Sequence, residues 1–121
     1  MVVDDDADIL DVVQRSLRKW DLVSDGFTSP VRALEHFRLN SHLYSLVISD
    51  LKMREMSGFD FIEQITQIKP DIKVTMMTAF IRDTVDIPEM LRGILKVDSI
   101  LEKPVGIRKV CLHVRKQLQI G

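Results

Sequence analysis

Short apolar runs alternate along the chain with longer stretches in which apolar residues recur every third or fourth position. Such alternation predicts strand and helix in turn, the pattern of an α/β domain built on a parallel sheet. Five strands are expected, at residues 1–3, 22–27, 46–49, 73–77 and 99–101. The first is shorter than the roughly five or six residues usual for a buried strand, which suggests that the parent chain begins upstream of Met1. Helical faces are read from Leu10, Val13 and Leu17, from Val31, Leu34 and Phe37, from Phe61, Ile62 and Ile65, and from Ile107, Val110, Cys111, Val114 and Leu118. These stripes are expected to face the sheet. Ser29-Pro30 has the form of an N-cap followed by proline in the first helical position, and Lys69-Pro70-Asp71 closes the third helix. Pro88 cannot sit inside the fourth helix, which either begins near Ile87 or follows a longer loop over residues 80–86.

In an open α/β sheet, ligands bind beyond the carboxyl ends of the strands. Four of the five apolar runs lead directly, or after Glu102, into a charged or reactive residue: Asp4-Asp5-Asp6, Asp50, Thr78 and, after the fifth, Lys103. Acidic residues at strand ends are often simply solvated, but four strands delivering such groups to one edge favour a site. Asp4, Asp5 and Asp50 against Lys103 leave two negative charges over, which a divalent ion would balance. Oxygen ligands suit magnesium, with manganese as the alternative. Asp50 is placed to attack phosphorus, Thr78 to bond a phosphoryl oxygen, and Lys103 to neutralise the charge on the transferred group.

The segments Val2-Val3-Asp4-Asp5-Asp6, Ser49-Asp50-Leu51-Lys52-Met53, Met56-Ser57-Gly58, Met77-Thr78-Ala79 and Glu102-Lys103-Pro104 resemble, in order and spacing, the signature segments of response-regulator receiver domains. The resemblance spans almost the whole chain. It implies a flavodoxin-like (βα)5 three-layer sandwich whose five-stranded parallel sheet has the order 2-1-3-4-5. It also implies that Asp50 is the phosphoacceptor, that Asp5, Asp50 and the backbone carbonyl of Lys52 ligate magnesium directly, and that Asp4 does so through water. Thr78 and Lys103 match the family's switching hydroxyl and phosphate-binding lysine. The expected role is that of a phosphoacceptor in two-component signalling, with no catalysis beyond its own phosphorylation and dephosphorylation. A sensor histidine kinase or phosphotransfer protein is the expected donor, and a partner or output domain the expected reader; a homodimer is compatible with this. Three departures stand out. Arg54 occupies a position where the family usually has proline, Ile100 one where it usually has an aromatic ring, and the stretch from Thr78 to Lys103 is longer than usual. The phosphorylation switch is therefore expected in the loop over residues 79–89, with Ile100 unmoved.

Composition narrows the alternatives. With 121 residues, 45% of them hydrophobic, the chain suits one soluble domain, residues 1–121, with no room for an output domain. Seventeen basic and eighteen acidic residues leave a net charge of −1, so no general attraction to nucleic acid or to an anionic membrane is expected. The acidic start is unlike a secretory signal, and a cytoplasmic location follows. A single cysteine, Cys111, excludes an intrachain disulfide, and His36, His42 and His113 lack metal-site spacing. Lys109, Arg115 and Lys116 are read as a solvated basic face of the last helix. A calcium loop starting at Asp4 would need glycine and glutamate where Ile9 and Arg15 stand. A haloacid-dehalogenase-like phosphohydrolase would use Asp4 as nucleophile and Asp6 as general acid. It would also need a carboxylate after Lys103, and none occurs beyond Glu102.

Overall fold

The computed structural model describes residues 1–78, 99–102 and 114–118, with the backbone alone for Thr78 and for residues 99–102. Five strands form one sheet: β1 (Val2–Val3), β2 (Gly26–Phe27), β3 (Leu46–Asp50), β4 (Lys73–Thr78) and β5 (Ser99–Glu102). All neighbours run parallel in the order β2-β1-β3-β4-β5. The helices α1 (Ala7–Lys19), α2 (Pro30–Asn40) and α3 (Gly58–Ile68) follow β1, β2 and β3, and residues 114–117 are helical.

Successive strand residues point to opposite faces of the sheet, so the apolar runs supply two cores at once. Val3, Val47, Val74 and Met76 pack with Ala33, Leu34 and Phe37 of α2 and Phe61, Ile62 and Ile65 of α3. Val2, Ile48 and Met77 pack on the other face with Leu10, Val13 and Leu17 of α1 and with Val114. This is the three-layer sandwich. Removing one of the fully buried rings, Phe37 or Phe61, would cost about 3–5 kcal/mol.

Each helix start is specified locally. Asp6 accepts from the N–H groups of Asp8 and Ile9, Ser29 from Arg32, and Ser57 from Asp60, satisfying donors that have no partner within the helix. Ser29-Pro30 behaves as its sequence suggests.

Three differences from the sequence expectations have physical causes. Only Gly26 and Phe27 of the expected 22–27 strand join the ladder. Asp21 turns left-handed with φ of 61°, its N–H donates to the Arg18 carbonyl, and Leu22 N–H donates to the Leu17 carbonyl at 2.9 Å. Those bonds cap α1 and leave Val23 exposed before the chain reaches β2. In α2, Val31 is exposed and Ala33 takes the core position instead. Strands β3, β4 and β5 each run one residue further than the apolar runs, so Asp50, Thr78 and Glu102 belong to the ladder. The expectations for Pro88 and the fourth helix, for the 79–89 loop, and for Lys103, Ile107, Lys109, Val110, Cys111 and His113 lie outside the described residues.

Candidate functional site

The register of the sheet brings the acidic residues together. Val3 pairs with Ser49, so the chain leaving β1 carries Asp4 and Asp5 past the end of β3, where Asp50 is paired with Met77. Asp4 and Asp50 are buried and Asp5 is partly exposed. One carboxylate oxygen from each of the three lies within 4.8 Å of the others. At that spacing, like charges repel by roughly 3 kcal/mol per pair for an effective dielectric of 20. An oxygen-only set of this kind, opening to solvent on one side, fits a hard divalent cation.

Backbone contacts hold the cluster in place. Asp50 Oδ1 accepts from Leu51 N–H at 2.8 Å, and Asp4 Oδ1 accepts from Asp6 N–H at 2.9 Å. The chain beyond Asp50 is pinned at both ends: Leu51 N–H donates to the Met77 carbonyl at 3.0 Å, and Gly58 N–H to the Leu51 carbonyl at 2.9 Å. Gly58 is required for that second approach. A Cβ there would lie 2.3 Å from the Asp50 carbonyl oxygen and 2.9 Å from Leu51 Cα. Lys52 lies two residues beyond Asp50 with its side chain exposed.

Asp6, third of the acidic run, faces a different task. Its carboxylate oxygen Oδ1 caps α1, bonding Asp8 N–H at 3.0 Å and Ile9 N–H at 3.3 Å. A phosphohydrolase of the type considered above would need that side chain as its general acid, so the cap weighs against that alternative. Thr78 is the last residue of β4, immediately after the partner of Asp50, and pairs with Glu102. The backbone thus places Thr78 beside Asp50 and puts the residue preceding Lys103 on the next strand. Asp4, Asp5 and Asp50 are shown to converge; the side chain of Thr78 and the whole of Lys103 lie outside the described residues.

One contact was missed from sequence. Arg54 Nε lies 3.5 Å from Asp5 Oδ2, a guanidinium beside the most exposed of the three carboxylates. Its signal was the cation standing in the loop after β3 where proline is usual, but which carboxylate it would meet depends on the fold of that loop. Of the histidines, His36 packs between Phe27 and Tyr44, with ring centroids 5.3 and 5.9 Å away, and His42 is exposed. Neither approaches the acidic cluster as a ligand.

Comparison with known proteins gives a consistent result. The family profile described as the response regulator receiver domain matches residues 1–115. The transcriptional regulatory protein ZraR of Klebsiella oxytoca is 30% identical over 118 residues, covering 98% of this chain and 26% of that protein. The response regulator receiver protein CpdR of Brucella abortus is 26% identical over 122 residues, covering 98% of this chain and 94% of that protein. A receiver domain crystal structure from Clostridium thermocellum superposes with a TM-score of 0.83 at 25% identity, covering 98% of this chain and 91% of its own. The chain therefore spans about a quarter of ZraR but nearly all of CpdR. Among the described residues, no helix is long and apolar enough to cross a membrane.

Proposed function

The chain belongs to the response regulator receiver domain family, a signalling module of two-component systems, and from that premise we propose that Asp50 is its phosphoacceptor. The observation that carries this reading is the convergence of Asp4, Asp5 and Asp50 at the carboxyl edge of the sheet, with Asp50 paired in the ladder to Met77 of β4. Asp5, Asp50 and the carbonyl of Lys52 would hold a magnesium ion directly, with Asp4 acting through water. When bound, the ion offsets the negative charge that gathers on the transferring phosphoryl oxygens.

The chain's own groups do the rest. An Asp50 carboxylate oxygen attacks phosphorus in line, forming an acyl phosphate. The bond from phosphorus to the donor nitrogen of a phosphohistidine breaks, and that nitrogen keeps the electron pair. The Leu51 N–H on Asp50 Oδ1 orients the carboxylate for this attack. Thr78 would donate its hydroxyl to one phosphoryl oxygen and Lys103 its ammonium to another, so that Thr78 follows the modification and moves the loop behind it. A histidine kinase or phosphotransfer protein supplies the group. A protein partner or attached output domain reads the altered state.

Incubation with acetyl phosphate and magnesium, followed by intact-mass spectrometry, tests the assignment. One phosphoryl group should be added to the wild type and none to Asp50→Asn. Undiminished labelling of that variant would overturn it.

A further inference from the structure

Arg54 is the feature that the proposed function leaves unused. It stands within the loop that starts at Leu51, tied to β4, and ends at Gly58, tied back to Leu51. With both ends held, the exposed loop between them has little freedom to retreat from the site. Its guanidinium Nε meets Asp5 Oδ2 at 3.5 Å, a single long contact from an otherwise exposed side chain. Asp5 is also the most exposed member of the carboxylate cluster and so the one an arriving ion meets first. A guanidinium stays charged throughout the working pH range.

We infer that Arg54 is a built-in competitor for the metal: it neutralises Asp5 in the ion-free domain and must be displaced before a divalent cation can bind there. This rests on the magnesium reading given above. The contact suits the task because it is weak. Exposed ion pairs contribute little and are screened by salt, so Arg54 weakens the site for the ion without closing it. Proline, usual at this position, carries no charge and could not act in this way.

Calorimetric titration of the domain with magnesium chloride, in low salt and in about 1 M potassium chloride, decides the matter. Arg54→Gln should bind magnesium roughly two- to fivefold more tightly than wild type in low salt, and the gain should fade in high salt. Arg38→Gln serves as control, since it loses the same charge from an exposed arginine bonded to Gln64; it should leave affinity unchanged. Equal or weaker binding by Arg54→Gln, or the same gain from Arg38→Gln, overturns the role of Arg54. If Asp5→Asn binds magnesium as well as wild type does, the magnesium reading itself fails.

Discussion

At the amino-terminal edge of the sheet, Tyr44 donates its hydroxyl to Asp25 Oδ2 at 2.5 Å, and Lys69 Nζ donates to the carbonyls of Tyr44 and Ser41 at 2.6 and 3.2 Å. At the carboxyl-terminal edge, one strand length away, Asp4, Asp5 and Asp50 crowd like charges within 4.8 Å. Both edges hold polar groups next to the same apolar layers. In one, every charge named has a donor or acceptor of opposite character from the chain itself, and the result is cohesion. In the other, three carboxylates converge on one another, and on the reading proposed above they are the groups that would take up a cation. On that reading, the contrast separates polar groups that stabilise the fold from polar groups that the fold would hold ready for a ligand.

The largest effect is expected where the backbone of the functional edge is tightest. Gly58→Ala should cost about 3 kcal/mol, because the added methyl meets main-chain atoms that cannot swing aside. Chemical denaturation would measure the loss. Acetyl phosphate labelling of Asp50 should fall with it, since α3 and the strand end must part. A stability within about 0.5 kcal/mol of wild type would show that the two segments are not in the close contact described.

At the opposite edge, Tyr44→Phe should destabilise by about 1–2 kcal/mol, through loss of the bond to Asp25, without altering magnesium binding. Burial, and then the hydrogen bond and charge of Asp25, raise the Tyr44 hydroxyl above the ordinary tyrosine range. A raised folded-state value means that this stabilisation is complete below about pH 10 and is lost as pH climbs beyond it. Tyr44 is the sole tyrosine, so ultraviolet absorbance should detect no phenolate until well above pH 10, or until the domain unfolds. Half-ionisation near pH 10 in folded protein would break the comparison on this side.

The sign should invert for Asp50→Asn. In a magnesium-free buffer the variant should be more stable than wild type by about 1 kcal/mol, because one of the crowded charges is gone. Magnesium should then raise the melting temperature of the wild type and not that of the variant. A variant less stable than wild type without metal would mean that the cluster is cohesive after all. The smallest effect concerns the α1 terminus, where Asp21 holds φ of 61°. Asp21→Gly should add up to about 1 kcal/mol by removing the left-handed penalty, leaving the acidic edge untouched.

Much of this was legible in the residues, for local reasons. Alternating runs such as Leu46–Asp50 bury on both faces whatever surrounds them, so the strands, their order along the chain and the two cores follow from period and composition. The cap at Ser29 depends on a bond spanning three residues. Asp4, Asp5 and Asp50 could be nominated because parallel strands carry their carboxyl ends to one edge.

Tertiary structure decided what depends on register and on loops. Asp6 sits in the same acidic run as Asp4 and Asp5, yet its carboxylate caps a helix, and only the direction of the chain after β1 separates these tasks. The expected second strand shrank to two residues because Leu22 is drawn into the end of α1, a choice its apolar character does not announce. Tyr44 meets Asp25 across 19 positions, and Arg54 meets Asp5 from a loop closed by Gly58. Such contacts carry no periodic signal: they arise when separate segments are brought to one place, and their energies are set by distance and burial, which exist only once the chain has folded.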